Sequence, residues 1–569
     1  MSAPTSIKGL DFSPAPGKVY KNFVRKWEED FIYFLLVDRF HDGKDRKPPT
    51  TTERSSGSGS SDQLKDFVGG TLKGILNHLD YIANLGCTAI WLSPVFENNE
   101  HSYHGYSIQN YLDIDPHFGT KQDLIDLVEA AHQRDMRVIL DVVINHSGDN
   151  WSYQPDVAFF FFQDQQFPFG AFRRDDRPIP TELRNKDFYH RRGQIRNFDA
   201  FPETQHGDFF SLKDFDNDVD QPGDPDALSL LDVLTLAHCY WVREADVDGF
   251  RVDAVKHMGE VAVARFSSTL REYAESLGKR DFFLFGELVA GDDAINRYIG
   301  PNTPILLGDK TVFFGLDSVL DFPLYFVLSN VLKGQSPPAD LFNRYEAQRQ
   351  RALSRGQLGQ YLVTFLDNHD DIGRPKLRFA AFSPDEQVIA GIGFLLCALG
   401  TPCIYYGTEQ GFSGQGDGSD GDDRFIREAM FDLNDPTKDL LNQNCTIYQQ
   451  VAKIAQVFKE QPALRFGRIY FREISGNGRD FGLPQGHPCT LAFSRILAND
   501  EILIAYNTST TIKREDFVIV DSSLHRAGDQ LHFLYGDTGS VAVKPHPDPN
   551  NQSRIVQLKL QPMQFVILR

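Results

Sequence analysis

The sequence predicts an α/β protein whose main domain is a (β/α)8 barrel, or TIM barrel, followed by an all-β sandwich domain. Eight short apolar segments recur in the first 410 residues, and amphipathic segments with apolar residues three and four positions apart lie between them. This alternation is typical of parallel strands covered by helices, and eight such units over about 430 residues fit a barrel with insertions. After residue 466 short alternating strands replace the helical pattern, which predicts the sandwich.

The eight predicted strands are apolar runs that end in polar or glycine residues. Such runs are expected for strands that are buried on both faces of a parallel sheet. In chain order they are 31–40 (FIYFLLVDRF), 87–96 (CTAIWLSPVF), 136–146 (MRVILDVVINH), 247–257 (VDGFRVDAVKH), 281–289 (DFFLFGELV), 315–322 (GLDSVLDF), 360–370 (QYLVTFLDNHD) and 401–410 (TPCIYYGTEQ). Helical segments between them include KQDLIDLVEAAHQRD and ALSLLDVLTLAHCYWVREAD.

Two insertions interrupt this pattern. Residues 51–62 (TTERSSGSGSSD) are rich in glycine and serine, which predicts a flexible loop after the first strand. Residues 147–220 are dense in Phe, Arg and Gln without a clean period, and we expect them to form a small excursion domain over the barrel mouth after the third strand. The predicted domains are an N-terminal extension (1–29), the barrel (30–146 and 221–466), the inserted domain (147–220) and the C-terminal β-sandwich (467–569).

The composition excludes several classes of protein. Lys and Arg number 58 against 78 Asp and Glu, a net charge of −20, so neither nucleic acid nor an anionic membrane is an expected partner. The six cysteines show no CxxC spacing, which predicts neither a disulfide framework nor a zinc site. No window approaches the roughly eighteen apolar residues of a membrane span, and the first thirty residues lack a signal-peptide core. We expect a cytoplasmic protein, or a secreted one whose leader has been trimmed. The oligomeric state cannot be predicted.

Candidate catalytic residues follow four of the predicted strands. In a parallel barrel the C-terminal ends of the strands meet at one mouth. The polar residues that close the third, fourth, fifth and seventh strands are Asn145 and His146, then Arg251, Asp253, Lys256 and His257, then Glu287, then Asn368, His369 and Asp370. A single carboxylate in such a position is as often a helix cap or a salt-bridge partner. Three carboxylates at one mouth instead favour a catalytic site.

Asp253 and Glu287 are predicted to differ in protonation. Arg251 and Asp253 are two positions apart, so they point to one face of the strand, and the guanidinium favours the ionised carboxylate. Glu287 follows apolar residues 282–285 and Gly286, and dry surroundings favour its protonated form. One ionised and one protonated carboxyl group are what acetal cleavage requires. A lone histidine is usually structural, but His146 and His369 both end strands at this mouth and are interpreted as hydroxyl-binding groups.

These segments resemble the signature regions of the alpha-amylase family of glycoside hydrolases. DVVINH (141–146), GFRVDAVKH (249–257), GELV (286–289) and FLDNHD (365–370) are similar to its four principal regions, in the family's order. Four further segments agree, namely TAIWLSPVF (88–96), HGYSIQNYLDIDPHFGT (104–120), SLKDFD (211–216) and GTPCIYYGTEQGF (400–412). The resemblance extends from about residue 30 to the C-terminus.

The resemblance implies a role for each residue of the mouth. It implies that Asp253 is the nucleophile, Glu287 the general acid/base and Asp370 the stabiliser of the transition state. The implied substrate contacts are Arg251, which orients the nucleophile, Tyr106, which stacks on the sugar being cleaved, His146 and His369, which hold its hydroxyls, and Lys256 and His257, which contact the adjoining sugar on the leaving-group side.

A calcium site is also implied by the resemblance. Asn145, Asp216 and the carbonyl of His257 match positions that supply calcium ligands in many members, and such an oxygen-rich set suits a hard cation. A further ligand would have to come from the divergent insertion, and a lysine or a water can fill such a site, so calcium and its absence both remain open. No organic cofactor is expected.

The predicted function is that of a retaining α-glucan hydrolase that cleaves α-1,4 bonds in maltooligosaccharides, starch-like glucans or cyclodextrins. Two alternatives remain open: an α-glucan transglycosylase (glucanotransferase or isomerase) that uses the same intermediate, and a non-catalytic barrel that serves as an interaction subunit. The three intact carboxylates argue against the second alternative. Loops set substrate choice, and here the insertion and SLKDFD, which lacks the usual proline, differ from the family pattern. The insertion's aromatics could stack on glucose, but most are expected to form its own core. They are Phe159 to Phe162, Phe167, Phe169 and Phe172.

Overall fold

Eight parallel strands form the barrel that the sequence predicts. The computed structural model describes residues 3–217, 228–299, 315–349, 360–370, 377–414 and 422–569, with the backbone of short strands at 305–307, 310–312, 352–353 and 356–357. The barrel strands are β1 (Ile32–Leu35), β2 (Ala89–Leu92), β3 (Arg137–Val142), β4 (Gly249–Val252), β5 (Phe283–Gly286), β6 (Ser318–Val319), β7 (Val363–Phe365) and β8 (Thr401–Tyr405). Every residue in them is buried, which explains the continuous apolar runs.

The barrel sheet has the order β6-β5-β4-β3-β2-β1-β8-β7. All of these pairs are parallel. The two edges meet at a parallel bridge between Leu320 and Val363, where the N–H of Asp321 donates to the carbonyl of Val363 at 2.9 Å. Because the C-terminal ends of all eight strands lie at one rim, the polar residues that follow them share one mouth.

The structure describes thirteen α-helices, most of which cover the barrel. They are α1 (Val37–Phe40), α2 (Leu72–Asn77), α3 (Leu79–Leu85), α4 (Lys121–Gln133), α5 (Glu203–His206), α6 (Leu230–Ala245), α7 (Glu260–Ser276), α8 (Asp292–Tyr298), α9 (Phe322–Leu332), α10 (Ala339–Arg349), α11 (Asp385–Cys397), α12 (Thr446–Glu460) and α13 (Pro462–Phe466). Capping boxes begin α4 at Thr120 and α6 at Ser229, each with an aspartate three residues later. Among the described helices, none has the length and apolar character needed to cross a bilayer.

The segment after β3 folds into small irregular elements. Its strands are His146–Ser147, paired with Lys213–Asp214, and Trp151–Tyr153, paired with Phe169–Phe172, and it contains α5. An antiparallel pair of strands, Phe96–Asn98 and Ile108–Ile114, lies beside it after β2. The predicted boundary at 220/221 lies outside the described residues, so the extent of the inserted domain stays a prediction.

The phenylalanines of this segment divide into two groups. Phe159 and Phe167 stack with ring centroids 4.2 Å apart, Phe161 is buried, and Phe169 and Phe172 are half-buried against the core. Phe160 and Phe162 are exposed instead. Of the seven phenylalanines singled out in the sequence, five therefore pack in the core and Phe160 and Phe162 do not.

The Gly/Ser-rich segment 51–62 is a loop that other parts of the chain hold in place. Backbone hydrogen bonds of 2.9 Å join Ser58 and Ala429 in both directions. Gly57 lies so close to Glu428 that an added Cβ would be 2.3 Å from its Cβ. The flexible loop predicted here is thus fastened at its centre, because glycine permits this close approach.

The C-terminal region is antiparallel and all-β, as predicted. Its strands are β9 (Arg468–Phe471), β10 (Ile474–Ser475), β11 (Thr490–Leu497), β12 (Asp500–Asn507), β13 (Arg514–Val520), β14 (Gln530–Tyr535), β15 (Ser540–Ala542), β16 (Lys544–Pro545), β17 (Arg554–Leu560) and β18 (Phe565–Leu568). They form a sheet of order β9-β11-β12-β18-β14-β15 and one of order β10-β13-β17-β16. Side chains from both sheets, such as Leu503 and Val556, share one buried apolar cluster.

Candidate active site

One guanidinium joins the two carboxyl groups that the sequence singles out. Arg251 lies on β4 and is fully buried. Its Nη1 is 2.7 Å from Oδ1 of Asp253, and its Nη2 is 2.9 Å from Oε2 of Glu287. Asp253 directly follows β4 and Glu287 directly follows β5, and these neighbouring strands place Val252 opposite Gly286. The register of the two strands therefore brings the carboxyl groups to one side of the barrel mouth.

Asp141 is a member of this site that the sequence analysis did not single out. It lies on β3 directly opposite Arg251 in the register and is fully buried. Its carboxylate accepts hydrogen bonds from Nη1 of Arg251 at 2.8 and 3.0 Å, from the Tyr106 hydroxyl at 2.8 Å and from Nε1 of Trp91 at 3.1 Å. The signal available in the sequence was a charged residue within the apolar run 138–143 (VILDVV), which needs a buried partner.

Tyr106 and His369 present parallel rings at the mouth. Their centroids are 5.3 Å apart with an interplanar angle of 9°, and the ring of His104 stacks with that of Tyr106 at 5.7 Å. Nε2 of His146 donates to the carbonyl of Tyr106 at 3.2 Å, because a carbonyl can only accept. Burial lowers the pKa of His146 to about 4 and that of His369 to about 3. Both rings are therefore neutral at pH 7 and act through hydrogen bonds rather than charge.

Arg427 holds Asp370 at the opposite side of the mouth. Its Nη2 donates to Oδ1 of Asp370 at 2.8 Å, its Nε donates to the carbonyl of His369 at 3.0 Å, and its Nη1 donates to the Tyr103 hydroxyl at 3.2 Å. The arginine is buried, whereas the aspartate side chain is 29% exposed. Arg427 was not predicted from the sequence, since it follows no barrel strand directly and belongs to none of the segments that carry the family resemblance.

Lys256 and His257 are held by the inserted segment. The ammonium group of Lys256 pairs with Asp199, and Nδ1 of His257 donates to the carbonyl of Thr204 at 2.6 Å. The ring of Phe209 lies 4.5 Å from that of His257 and 5.4 Å from that of His146. These two predicted site residues thus lie at the edge of the mouth, between the barrel and residues 199–209.

Burial sets the protonation of the two central carboxyl groups. It raises the pKa of Asp253 to about 6 and that of Glu287 to about 8, against the opposing effect of Arg251 in both cases. The carboxylates of Asp253 and Asp370 add to the shift of Glu287. Near pH 7 Asp253 is ionised and Glu287 is protonated. One ionised and one protonated carboxyl group on the same guanidinium are suited to the cleavage of an acetal.

The predicted calcium ligands fit a cation only in part. Oδ1 of Asn145 is buried without a hydrogen-bond partner among the described residues, as expected of an oxygen that would face a metal ion. Asp216, however, lies 3.1 Å from Nε2 of His190, whose Nδ1 is 2.6 Å from Asp214. Burial opposes protonation of His190, but the hydrogen bonds to both carboxylates outweigh it and raise its pKa to about 10. One imidazolium is thus shared between Asp214 and Asp216.

A second metal-like group, which the sequence analysis did not predict, lies elsewhere. It consists of His41, His78 and Asp439, whose possible ligand atoms all lie within 4.8 Å of one another. Among the described residues this is the one group of three or more His, Cys, Asp or Glu side chains that could hold a metal ion. Nε2 of His41 and Nε2 of His78 lie 3.8 and 3.7 Å from Oδ2 of Asp439. The N–H of Gly43 donates to Nδ1 of His41 at 2.9 Å, so the ring proton of the neutral imidazole is on Nε2, the atom a metal would need. This set therefore does not suit a metal.

Comparisons with known proteins agree with this geometry. The family model "Alpha amylase, catalytic domain" matches residues 34–456. The chain is 31% identical over 459 residues to the beta/alpha-amylase of Paenibacillus polymyxa. This match covers 78% of this chain and 31% of that protein. It is 30% identical over 448 residues to a cyclomaltodextrinase of Geobacillus thermopakistaniensis, covering 78% of this chain and 65% of that one. The chain thus spans about a third of the length of the Paenibacillus relative.

A similar fold occurs in a solved structure. The crystal structure of the alpha-amylase of Geobacillus thermoleovorans, complexed with acarbose, superposes with a TM-score of 0.68 and 25% sequence identity. The match covers 96% of this chain and 99% of that one. The similarity therefore includes the C-terminal strands as well as the barrel.

Proposed function

Since the chain belongs to the alpha-amylase family of glycoside hydrolases, we propose that it is a retaining α-glucan hydrolase that cleaves α-1,4 bonds. The substrates would be maltooligosaccharides, starch-like glucans or cyclodextrins. The observation that carries the proposal is the single guanidinium of Arg251, which contacts both Asp253 and Glu287 at the barrel mouth. The cyclomaltodextrinase among the relatives supports the inclusion of cyclodextrins.

In the proposed reaction two displacements occur at one anomeric carbon. An oxygen of Asp253 attacks that carbon while the glycosidic C–O bond breaks, and Glu287 gives its proton to the departing oxygen. The glycosyl–Asp253 ester then reacts with water, whose proton passes to Glu287, and Asp253 leaves as a carboxylate. Two inversions retain the α configuration, and Glu287 returns to its protonated form.

The remaining residues of the mouth are proposed to bind the sugar. Asp370, held by Arg427, would stabilise the positive charge that develops on the ring. Tyr106 would stack on that ring, and the neutral His146 and His369 would hold its hydroxyls. Lys256 and His257 would contact the adjoining sugar, since both lie at the edge of the mouth beside the insertion.

Substitution of the two carboxyl groups tests this proposal. Asp253→Asn and Glu287→Gln should each lower kcat on maltoheptaose by at least about 1,000-fold without loss of the folded state by circular dichroism. Asp126→Asn, on the exposed face of α4, is the matched control and should retain full activity. Proton NMR of early products should show the α anomer first. Normal turnover in Asp253→Asn, or initial release of the β anomer, would refute the mechanism.

Transglycosylation is the second candidate function, and the leaving-group side of the mouth favours it. Phe201 and Phe210 are 69% and 74% exposed, and Phe210 has a left-handed backbone with φ 55°. Phe210 adjoins Phe209, which contacts His257, and the ring of Phe201 lies 5.5 Å from that of His206. Exposed aromatic rings beside the leaving-group site would bind an acceptor sugar in competition with water. Mass spectrometry after incubation with maltotriose separates the two functions, because transfer produces longer oligomers.

Calcium binding is proposed only at the edge of the inserted segment. Asn145 would supply its unpartnered Oδ1, and the carbonyl of His257 and the carboxylate of Asp216 would complete an oxygen set if Asp216 is shared with His190. A bound ion there would fasten the insertion to the barrel and take no part in bond cleavage. Prolonged chelation should lower Tm if the ion is present. Unchanged Tm and activity after chelation would exclude it.

A further inference from the structure

The backbone on both sides of Arg427 is held by other buried residues. The carbonyl of Ile426 accepts a hydrogen bond from Nη2 of Arg378 at 2.9 Å. The carbonyl of Glu428 accepts one from the hydroxyl of Tyr406 at 2.8 Å. All five residues are buried. Because both neighbours of Arg427 are fixed, the path of this segment sets the direction in which the guanidinium points.

The side chain of Glu428 makes the segment more rigid. Its Oε2 lies 2.9 Å from Nη2 of Arg378, and the two side chains are 2% and 1% exposed. Its Oε1 accepts a hydrogen bond from the N–H of Gly414 at 2.8 Å. The attraction between two buried charges offsets their desolvation only when the geometry is good. A push on Glu428 is therefore passed to its backbone, and so to Arg427, because the side chain has little freedom to move.

The Gly/Ser-rich loop packs against this segment. Ser58 and Ala429 exchange two backbone hydrogen bonds of 2.9 Å, and Oγ of Ser58 accepts a third from the N–H of Leu433 at 2.8 Å. At the start of the loop Nε of Arg54 donates to Oδ1 of Asp385, the first residue of α11, at 2.5 Å. The loop is therefore held between α11 and the segment that carries the arginine.

Gly57 leaves no room for a side chain beside Glu428. A Cβ added to the glycine would lie 2.3 Å from Cβ and 2.9 Å from Cγ of Glu428, and 2.9 Å from Cδ2 of Phe412. Contacts under 3.0 Å essentially never occur for Cβ atoms, and Cβ of Glu428 cannot move without its own backbone. The backbone that would have to shift belongs to the residue next to Arg427.

We propose that Gly57 and Arg54 are positioning residues for the reaction, an inference that rests on the proposed function. Arg54 holds the loop, the glycine lets the loop lie directly on Glu428, and the segment then presents Arg427 to Asp370. An error of about 1 Å in the placement of a group that supports the chemistry can cost about 100-fold in rate, even when the substituted residue is remote.

Substitution of the two loop residues tests this role. Gly57→Ala should lower kcat/KM on maltoheptaose by at least about fivefold in a protein that is still folded by circular dichroism. Arg54→Met, which releases the start of the loop without adding an atom beside Glu428, should lower it by at least about threefold. Gly486→Ala is the matched control, because a Cβ added there meets no atom within 4 Å, and it should equal the wild type.

A double-mutant cycle separates positioning from a general structural effect. In an Arg427→Met background, Gly57→Ala should lower kcat/KM by less than about twofold, because residues that act through one contact are not additive. If Gly57→Ala fails to fold, Arg54→Met takes its place in the cycle. Hydrogen exchange of residues 426–430, followed by mass spectrometry without substrate, should be at least about tenfold faster in Gly57→Ala.

Three results overturn the inference and leave the proposed function intact. They are normal kcat/KM in both folded loop variants, losses that add fully in the Arg427→Met background, and unchanged hydrogen exchange in residues 426–430. If the wild type cleaves no α-glucan, the proposed function fails and the inference fails with it.

Discussion

Nη2 of Arg427 lies 2.8 Å from Oδ1 of Asp370, although 57 residues separate them in the chain. The arginine is buried and also holds the backbone carbonyl of His369. This double contact fixes both the charge and the direction of the aspartate that is proposed to stabilise the transition state.

Replacement of this arginine should impair catalysis more than folding. Arg427→Met removes the charge beside Asp370, and we expect kcat/KM on maltoheptaose to fall by about 10- to 100-fold, or about 1.4–2.7 kcal/mol of transition-state stabilisation. Arg424→Met, three residues away and paired with Asp422, is the control. Steady-state kinetics together with thermal melts check the result, and a normal kcat/KM in Arg427→Met would contradict the proposed role.

The pH dependence of kcat/KM should be bell-shaped. In the proposed mechanism Asp253 must be ionised, so activity should be lost as pH falls through the pKa of Asp253 at about 6. Glu287 must be protonated in that mechanism, so activity should also be lost as pH rises through the pKa of Glu287 at about 8. Asp141→Asn removes a negative charge that raises the pKa of Asp253, so the acid limb should move to lower pH. An acid limb that stays in place in this variant would argue against the coupling.

Glu287 should also make stability depend on pH. Its folded pKa is raised from 4.5 to about 8, so its contribution to stability is present at pH values below 4.5 and is lost as pH rises to 8. Glu287→Gln should therefore raise Tm, relative to the wild type, by about 2 °C or more at pH 9, with a smaller effect at pH 5. Differential scanning calorimetry at both pH values measures the difference. An equal change in Tm at pH 5 and pH 9 is the outcome that this linkage forbids.

Tyr106 has two separable contacts, a ring stacked beside His369 and a hydroxyl that donates to Asp141. Tyr106→Phe keeps the ring and removes the hydroxyl, and kcat/KM should fall less than about 10-fold, because Asp141 keeps its bonds to Arg251 and Trp91. Tyr106→Ala removes the stacking surface as well, and a decrease of at least about 100-fold is expected. Kinetics of both variants on maltotriose decide whether the ring or the hydroxyl dominates. Equal losses would assign the effect to the hydroxyl.

The exposed phenylalanines should influence the balance between transfer and hydrolysis. Phe210→Ala removes an aromatic surface beside the leaving-group side, so the ratio of longer to shorter products from maltotriose should fall by about threefold. Phe382→Ala, at another exposed position with a similar left-handed backbone, is the control. If the wild type makes no longer oligomers and Phe210→Ala changes nothing, the transferase alternative is excluded.

Periodicity in the sequence was enough to predict the eight strands and the change to β structure after residue 466. Buried strands need apolar residues on both faces and helices need an apolar stripe, so these local patterns are visible in any stretch of chain. The candidate site residues could be predicted as well, because the C-terminal ends of all strands of a parallel barrel lie at one rim. Asp253, Glu287 and Asp370 were predicted in this way.

Contacts between distant segments could not be predicted. The position of Asp141 opposite Arg251 depends on the register of β3 and β4. The contact of Arg427 with Asp370 depends on two loops from different parts of the barrel. The pairing of His190 with Asp216 depends on the path of the insertion. No local pattern encodes these distances. The pKa values of Asp253 and Glu287 follow from burial and from neighbours that folding brings close. The sequence therefore determines which functional groups are available, and the tertiary structure determines their distances and protonation.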